Sequence, residues 1–210
     1  KQLKNKTAGG DPVITAQFET WMMELAAASE GTVLGAFDGG PGAVGVVETT
    51  GTESGYLQSA SGQEWVQLIE KGLMGACFHY NISSVYLGPD KMEVDNSNPV
   101  DPAAGKHYTT MEHHWDEAYG YFTTAVNYPV DGTDRFLSKY AWKRESPLES
   151  ASKISEAFRL GRAAISAGDM GLRDAQIEVI RHELQLMLGG TAIHYLKAAI
   201  TDIGEDSRRN

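Results

Sequence analysis

Basic residues and cysteine are scarce in this 210-residue chain, and long apolar runs are missing from it. Lys and Arg number 18 against 28 Asp and Glu, for a formal charge of −10 at pH 7. Binding to a phosphate backbone is carried by clustered Lys and Arg. The short basic groups here, Lys1 to Lys6 and Arg208–Arg209, form no patch, so the composition argues against a nucleic-acid partner. The one cysteine, Cys77, has no intrachain partner, which excludes a disulfide framework. No uninterrupted apolar run approaches the roughly 20 residues a spanning helix requires, so the sequence holds no membrane-spanning segment. Lys1 to Gly10 lack the apolar stretch of a signal peptide, and the opening Lys1 to Thr7 does not begin with Met. It reads as the interior of something longer.

Against these absences stand four Trp, nine Tyr and six Phe in a 41% hydrophobic chain, which rules out disorder and supplies a sizeable core without staples. Hydrophobic spacing picks out helices and no convincing strand pair, so the expected fold is an all-α helical bundle with long Gly-rich loops, a single domain over 1–210. Ile14 to Ser29 follows Asp11-Pro12, a suitable helix start. Gly31 to Ser61 breaks the helical pattern and reads as a long loop, in which Val44 to Val47 makes at most a short strand. Its Gly39-Gly40-Pro41-Gly42 lacks the strand-then-helix context of a phosphate cradle.

Gly62 to Leu87 is apolar almost all round and reads as a buried central helix, with Gly72, Gly75 and Ala76 offering one close-packing side. Glu70 and Lys71 are then unusual, because charges inside a buried helix need partners. Gly88 to Tyr108, rich in Pro, Asn and Asp, reads as a loop. Thr109-Thr110-Met111-Glu112 has the Thr-x-x-Glu form of a capping box and marks the next helix start. Further helices are expected at Thr133 to Lys143, Leu148 to Ala167 and Leu172 to Ile203, the last kinked or broken at Gly189-Gly190.

The densest ionisable cluster is Glu112-His113-His114-Trp115-Asp116-Glu117 on the capped helix. With His114 at zero on a helical wheel, Glu117 falls near about −60° and Tyr121 near about −20°, beside an apolar face centred near about +70°. His114 and Glu117 should therefore be partly buried, while Glu112, Asp116 and His113 fall on the far side in water. A His and a carboxylate at i and i+3 can ligate one cation or hydrogen-bond each other, and bundle metal sites draw further ligands from facing helices. Glu70 is the third-ligand candidate, because its burial otherwise lacks a reason. The competing reading is a buried hydrogen-bonded pair that orients helices.

Hydrolytic signatures are missing. Neither His-Glu-x-x-His nor His-x-x-Glu-His is present, since Ala118 follows Glu117, and there is no Gly-x-Ser-x-Gly. Cys77, mid-helix in an apolar setting, reads as inert. Glu178 with His182 reads as a surface pair. His79 and His194 read as core histidines, and Arg159 and Arg162 as bundle salt-bridge partners.

The segments Lys71 to Ala76, Met111 to Phe122 and Ala157 to Ile165 resemble a bacterial domain of unknown function grouped with the imelysin-like proteins of the cell envelope; Glu112-His113-His114-Trp115-Asp116-Glu117-Ala118-Tyr119-Gly120-Tyr121-Phe122 is its specific part. The resemblance implies paired helical bundles, export to the periplasm or outer membrane, often as a lipoprotein, and a His-x-x-Glu motif associated with iron or another divalent metal. It also implies a family domain longer than this chain at both ends. Here the motif maps to His114 and Glu117. The expectation is an envelope protein that captures or hands on a metal ion, iron by preference, at His114, Glu117 and Glu70, with His113, Asp116, Tyr121 and Arg162 in support. The partners to expect are the metal ion and another envelope protein. The alternative is a non-catalytic interaction scaffold at the cell surface, and a weaker third reading is a metal-dependent peptidase.

Overall fold

A computed structural model describes residues 2–32, 45–48, 55–130 and 134–203. The Gly39-Gly40-Pro41-Gly42 run, Lys1, Thr133 and the Arg208–Arg209 pair lie outside them. The fold is an all-α helical bundle, with α1 at Pro12–Thr32, α2 at Trp65–Leu73, α3 at Pro89–Met92 and α4 at Thr110–Phe122. It continues through α5 at Phe136–Lys143, α6 at Glu145–Leu148, α7 at Ser150–Ala167 and α8 at Met170–Ile203. No described helix is long and apolar enough to cross a membrane. The described residues fall into two compact units, one within Lys1–Ala76 and His194–Asn210, the other within Cys77–Ile193.

In the first unit, Asp11 starts α1 by accepting from the N–H groups of Val13 and Ile14, both at 2.9 Å, with Pro12 at the first helical position. Phe18 of α1 seats on Gly72, where an added Cβ would stand 2.8 Å from the ring, so the expected close approach is used there, whereas a Cβ on Gly75 would meet nothing within 4 Å. Trp65 donates through Nε1 to Glu24 at 2.8 Å. The rest of α2 departs from expectation: Val66, Glu70 and Lys71 face solvent, and Lys71 Nζ meets Glu70 Oε1 at 2.9 Å. An amphipathic helix packed on one side explains those charges without a buried site. The segment read as a loop contains β1 at Gly45–Glu48 and β2 at Gly55–Gln58, paired antiparallel with Gly45 opposite Gln58 and Glu48 opposite Gly55.

Past Leu73 the expected continuous α-helix widens into two π-helical stretches, Met74–His79 and Asn81–Tyr86. Asn81 gives part of the reason: it is buried and its amide donates to the Cys77 carbonyl at 2.6 Å, competing for an acceptor of the helical ladder. The widened turn leaves carbonyls to satisfy. Arg181 of α8 donates to Ser83 O at 2.9 Å and to Leu87 O at 3.0 Å. Arg173, buried, donates to Met92 O at 2.6 Å. Arginine suits this task because its fork reaches several carbonyls at once.

The presumed loop before α4 is likewise structured, with β3 at Pro99–Asp101 antiparallel to β4 at Lys106–Thr109. The core of this second unit is built from Trp115 and Phe122 of α4, Ile154 and Ile165 of α7, and Ile180 and Leu184 of α8, each essentially inaccessible. Gly189-Gly190 does not end α8, which is helical from Met170 to Ile203. A Cβ on Gly190 would stand 2.8 Å from Leu148, so that glycine serves a close approach.

Candidate functional site

The candidate site is α4, and its start is fixed first. Thr109 Oγ1 accepts from the Glu112 N–H at 3.2 Å, and Glu112 Oε2 accepts from the Thr109 N–H at 2.8 Å, a complete capping box. The Thr109 hydroxyl donates to Asn96 at 2.6 Å, and Asn96 donates to Ile165 O of α7 at 2.7 Å.

Glu112 is where the wheel misleads. It is buried, and its second oxygen accepts from Ser166 at 2.6 Å and from Arg162 Nη1 at 2.5 Å. Arg162 also donates from Nε to Asp116 at 3.0 Å, on the exposed side. Burial alone would raise the Glu112 carboxyl, but the Ser166 hydroxyl, the Thr109 N–H and the Arg162 guanidinium outweigh it and hold it below its ordinary value. Asp116 moves the other way, raised because desolvation exceeds what Arg162 returns.

On the opposite side, His113 stacks on Tyr108 with centroids 5.2 Å apart, and its Nε2 stands 3.8 Å from Glu117 Oε1. His114 is half-buried, as expected, with Nδ1 3.0 Å from Lys91 O. Tyr86 lies beside both His114, at 6.4 Å between centroids, and Tyr121, at 5.4 Å. The stripe of His114, Glu117 and Tyr121 thus exists, yet Glu117 turns toward His113 and makes no hydrogen bond to His114 among the described residues. Glu70 lies in the other unit and faces solvent beside Lys71.

One further expectation changes. His194 is exposed and packs edge-on against Tyr195 at 5.5 Å, so it is no core histidine. The surface reading of Glu178 and His182 holds, since both are exposed, with Glu178 paired to Arg181 at 2.8 Å. His79 is half-buried, and desolvation lowers its pKa.

A residue the sequence did not single out closes the C-terminal end of α4. Asp134 accepts from the Thr123 hydroxyl at the helix end, from the Thr124 N–H at 3.1 Å and from Ser138 at 2.9 Å. Burial opposes the charge, but these donors win and take its pKa from 3.8 to about 2. A depressed carboxyl stabilises the fold above its unfolded value and loses that contribution as pH falls through the folded one. Acid unfolding should therefore steepen between about pH 4 and about 2, and Asp134→Asn should flatten that limb in urea titrations run across the range.

Among the described residues, no three His, Cys, Asp or Glu side chains could hold a metal ion together. The described donors are therefore an oriented imidazole with a neighbouring carboxylate, not a closed cage. The model of a family described as a domain of unknown function, DUF4856, matches residues 4–210. The chain belongs to the DUF4856 family. No curated protein and no solved structure matches it. In this DUF4856 chain, then, α4 carries two distinct arrangements, a satisfied Glu112–Arg162 network toward α7 and a more open His–Glu face toward α3.

Proposed function

We propose that this DUF4856 chain is a non-catalytic, metal-handling module of the bacterial cell envelope, akin to the imelysin-like proteins, that takes iron or another divalent ion at His114 and Glu117. The hydrogen bond of His114 to Lys91 O carries the reading. A carbonyl only accepts, so Nδ1 holds the proton and Nε2 keeps the lone pair, the way ligating imidazoles are oriented by their outer partners. Glu117 supports it, because 3.8 Å from His113 is too long for a hydrogen bond and leaves the carboxylate able to turn. An imidazole with a carboxylate suits iron as it does other divalent first-row metals, and iron is preferred from the resemblance. With so few protein donors the remaining positions fall to solvent or to an envelope partner, which suits capture and hand-over better than storage. Export to the periplasm or outer membrane follows from the same resemblance. Glu70 stays outside the proposed ligand set, since its exposure removes the reason for choosing it.

The test is elemental analysis of protein purified without chelators, then again after anaerobic addition of ferrous iron. Near-stoichiometric metal in the wild type, with affinity down at least about tenfold in His114→Ala and Glu117→Gln, is expected. A wild type that takes up none sinks the proposal. The alternative scaffold role is favoured by a different observation. Leu196, Ile200 and Ile203 recur at helical spacing on α8, all exposed, with Ile200 at 72%.

A further inference from the structure

Arg173 is a cation where the pattern of α8 calls for an apolar residue. It continues the buried stripe that Ile177, Ile180 and Leu184 form at helical spacing, and it stands in the first turn, where the helix dipole opposes a positive charge. A guanidinium held there needs partners. Nε and Nη2 donate to Asp174 at 2.8 and 2.6 Å, and Asp174 is exposed, so the ion pair is made on the solvent side. Nη1 is left for the interior. It donates to Met92 O at 2.6 Å and stands 3.4 Å from Met111 Sδ.

Those two contacts bracket the setting of His114. Met92 ends α3, and Met111 lies in α4 one turn before His114. A four-residue helix such as α3 is too short to be stable alone and leaves its last carbonyls without partners of its own. Two neighbouring ones are served from other helices. Lys91 O accepts from His114 Nδ1 at 3.0 Å, and Met92 O accepts from Arg173. The carbonyl that orients the imidazole is therefore next in sequence to the one that Arg173 holds, and the same Nη1 meets the helix that carries the imidazole.

We propose that Arg173 is a positioning residue for His114: it holds the end of α3 against α4, so that Lys91 O keeps the imidazole proton on Nδ1 and the lone pair on Nε2. The use of that lone pair for a metal ion rests on the function proposed above, whereas the tautomer itself does not. Arg181 supplies the comparison. It too donates to backbone carbonyls, Ser83 O and Leu87 O, but ahead of α3 and not beside Lys91.

The experiment reads the ring nitrogens by long-range proton–nitrogen correlation in the metal-free full chain, labelled at histidine, near about pH 8 where an ordinary imidazole is neutral. His114→Ala assigns the signal. Wild-type His114 should carry its proton on Nδ1. Arg173→Met keeps an unbranched buried stem and removes every donor, and it should lower the ratio of the Nδ1–H to the Nε2–H form about fivefold, the worth of one net hydrogen bond. Arg173→Gln, too short to reach Met92 O, is the second variant and should give the same shift. Arg181→Gln should lower the melting temperature and leave the ratio unchanged. An Nε2–H wild type, a ratio unmoved in whichever Arg173 variant folds, or an equal shift in Arg181→Gln overturns the assignment.

Ferrous iron separates this proposal from the metal function. The Arg173 variant with the shifted tautomer should bind it severalfold more weakly than the wild type, as loss of support around a ligating imidazole does. A shifted tautomer in a chain that takes up no iron upholds the positioning and sinks the metal function alone. An unmoved tautomer in a chain that binds iron overturns the positioning alone.

Discussion

Glu112→Ala should lower the stability of the second unit by about 2 to 3 kcal/mol, built from a lost N-cap partner and one lost charge-assisted hydrogen bond. The carboxylate holds three donors at once: the Thr109 N–H that begins α4, and Ser166 and Arg162 of α7. The loss stays below the several kcal/mol of a stranded buried charge, because Arg162 keeps Asp116 and is partly solvated. Glu112→Gln keeps the shape and an acceptor for the cap, so it should lose only about half as much. The sign with pH is fixed by the lowered Glu112 carboxyl. Its contribution is present above the ordinary 4.5 and fades as pH falls through the lower folded value. Urea midpoints at pH 7 and pH 4 check this: the gap between wild type and Glu112→Gln should narrow at the lower pH, and a constant gap would discard the network as a charge effect.

Glu112 also shows where sequence reading stops. The Thr109-x-x-Glu112 spacing was enough to locate the cap, because both partners are three residues apart on one chain segment. The wheel then put Glu112 in water, since it equates the apolar arc with the buried one. Burial of this carboxylate depends on Arg162 and Ser166 arriving from α7, some fifty positions away. Local signals explain the other outcomes too. The helices of α1, α4, α7 and α8 were legible from periodicity over many turns. The strands of β1 and β2 are four residues each, too short for alternation to register. The π-helical stretches keep apolar spacing close to that of an α-helix, and the bond from the Asn81 amide to the Cys77 carbonyl, part of the reason for the widening, leaves no trace in that spacing. Half-burial of His114 was legible, but its Lys91 partner was not, because a backbone acceptor leaves no trace in side-chain pattern.

Gly161→Ala is the second large effect, and its sign runs against helix propensity. Alanine in mid-helix favours folding by about 1 kcal/mol over glycine. In α7, however, a Cβ at this position would stand 2.1 and 2.2 Å from Cζ2 and Cη2 of Trp115. That ring is 1% exposed, and its Nε1 is tied to Phe158 O, one turn earlier on the same helix as Gly161. Ordinary contact therefore requires the indole to retreat by more than an ångström, against its own hydrogen bond and the edge-on Phe158 ring. Overpacking typically costs about 1 to 3 kcal/mol, and a clash this deep against a fixed ring belongs at the upper end, so the net loss should be about 2 kcal/mol. Trp115→Phe removes the clashing atoms, and in the Gly161→Ala background it should cost at least about 1.5 kcal/mol less than in the wild type. The four proteins form a cycle read by urea denaturation. Stabilisation by Gly161→Ala, or additivity across the cycle, would show that the glycine is not there to seat the tryptophan.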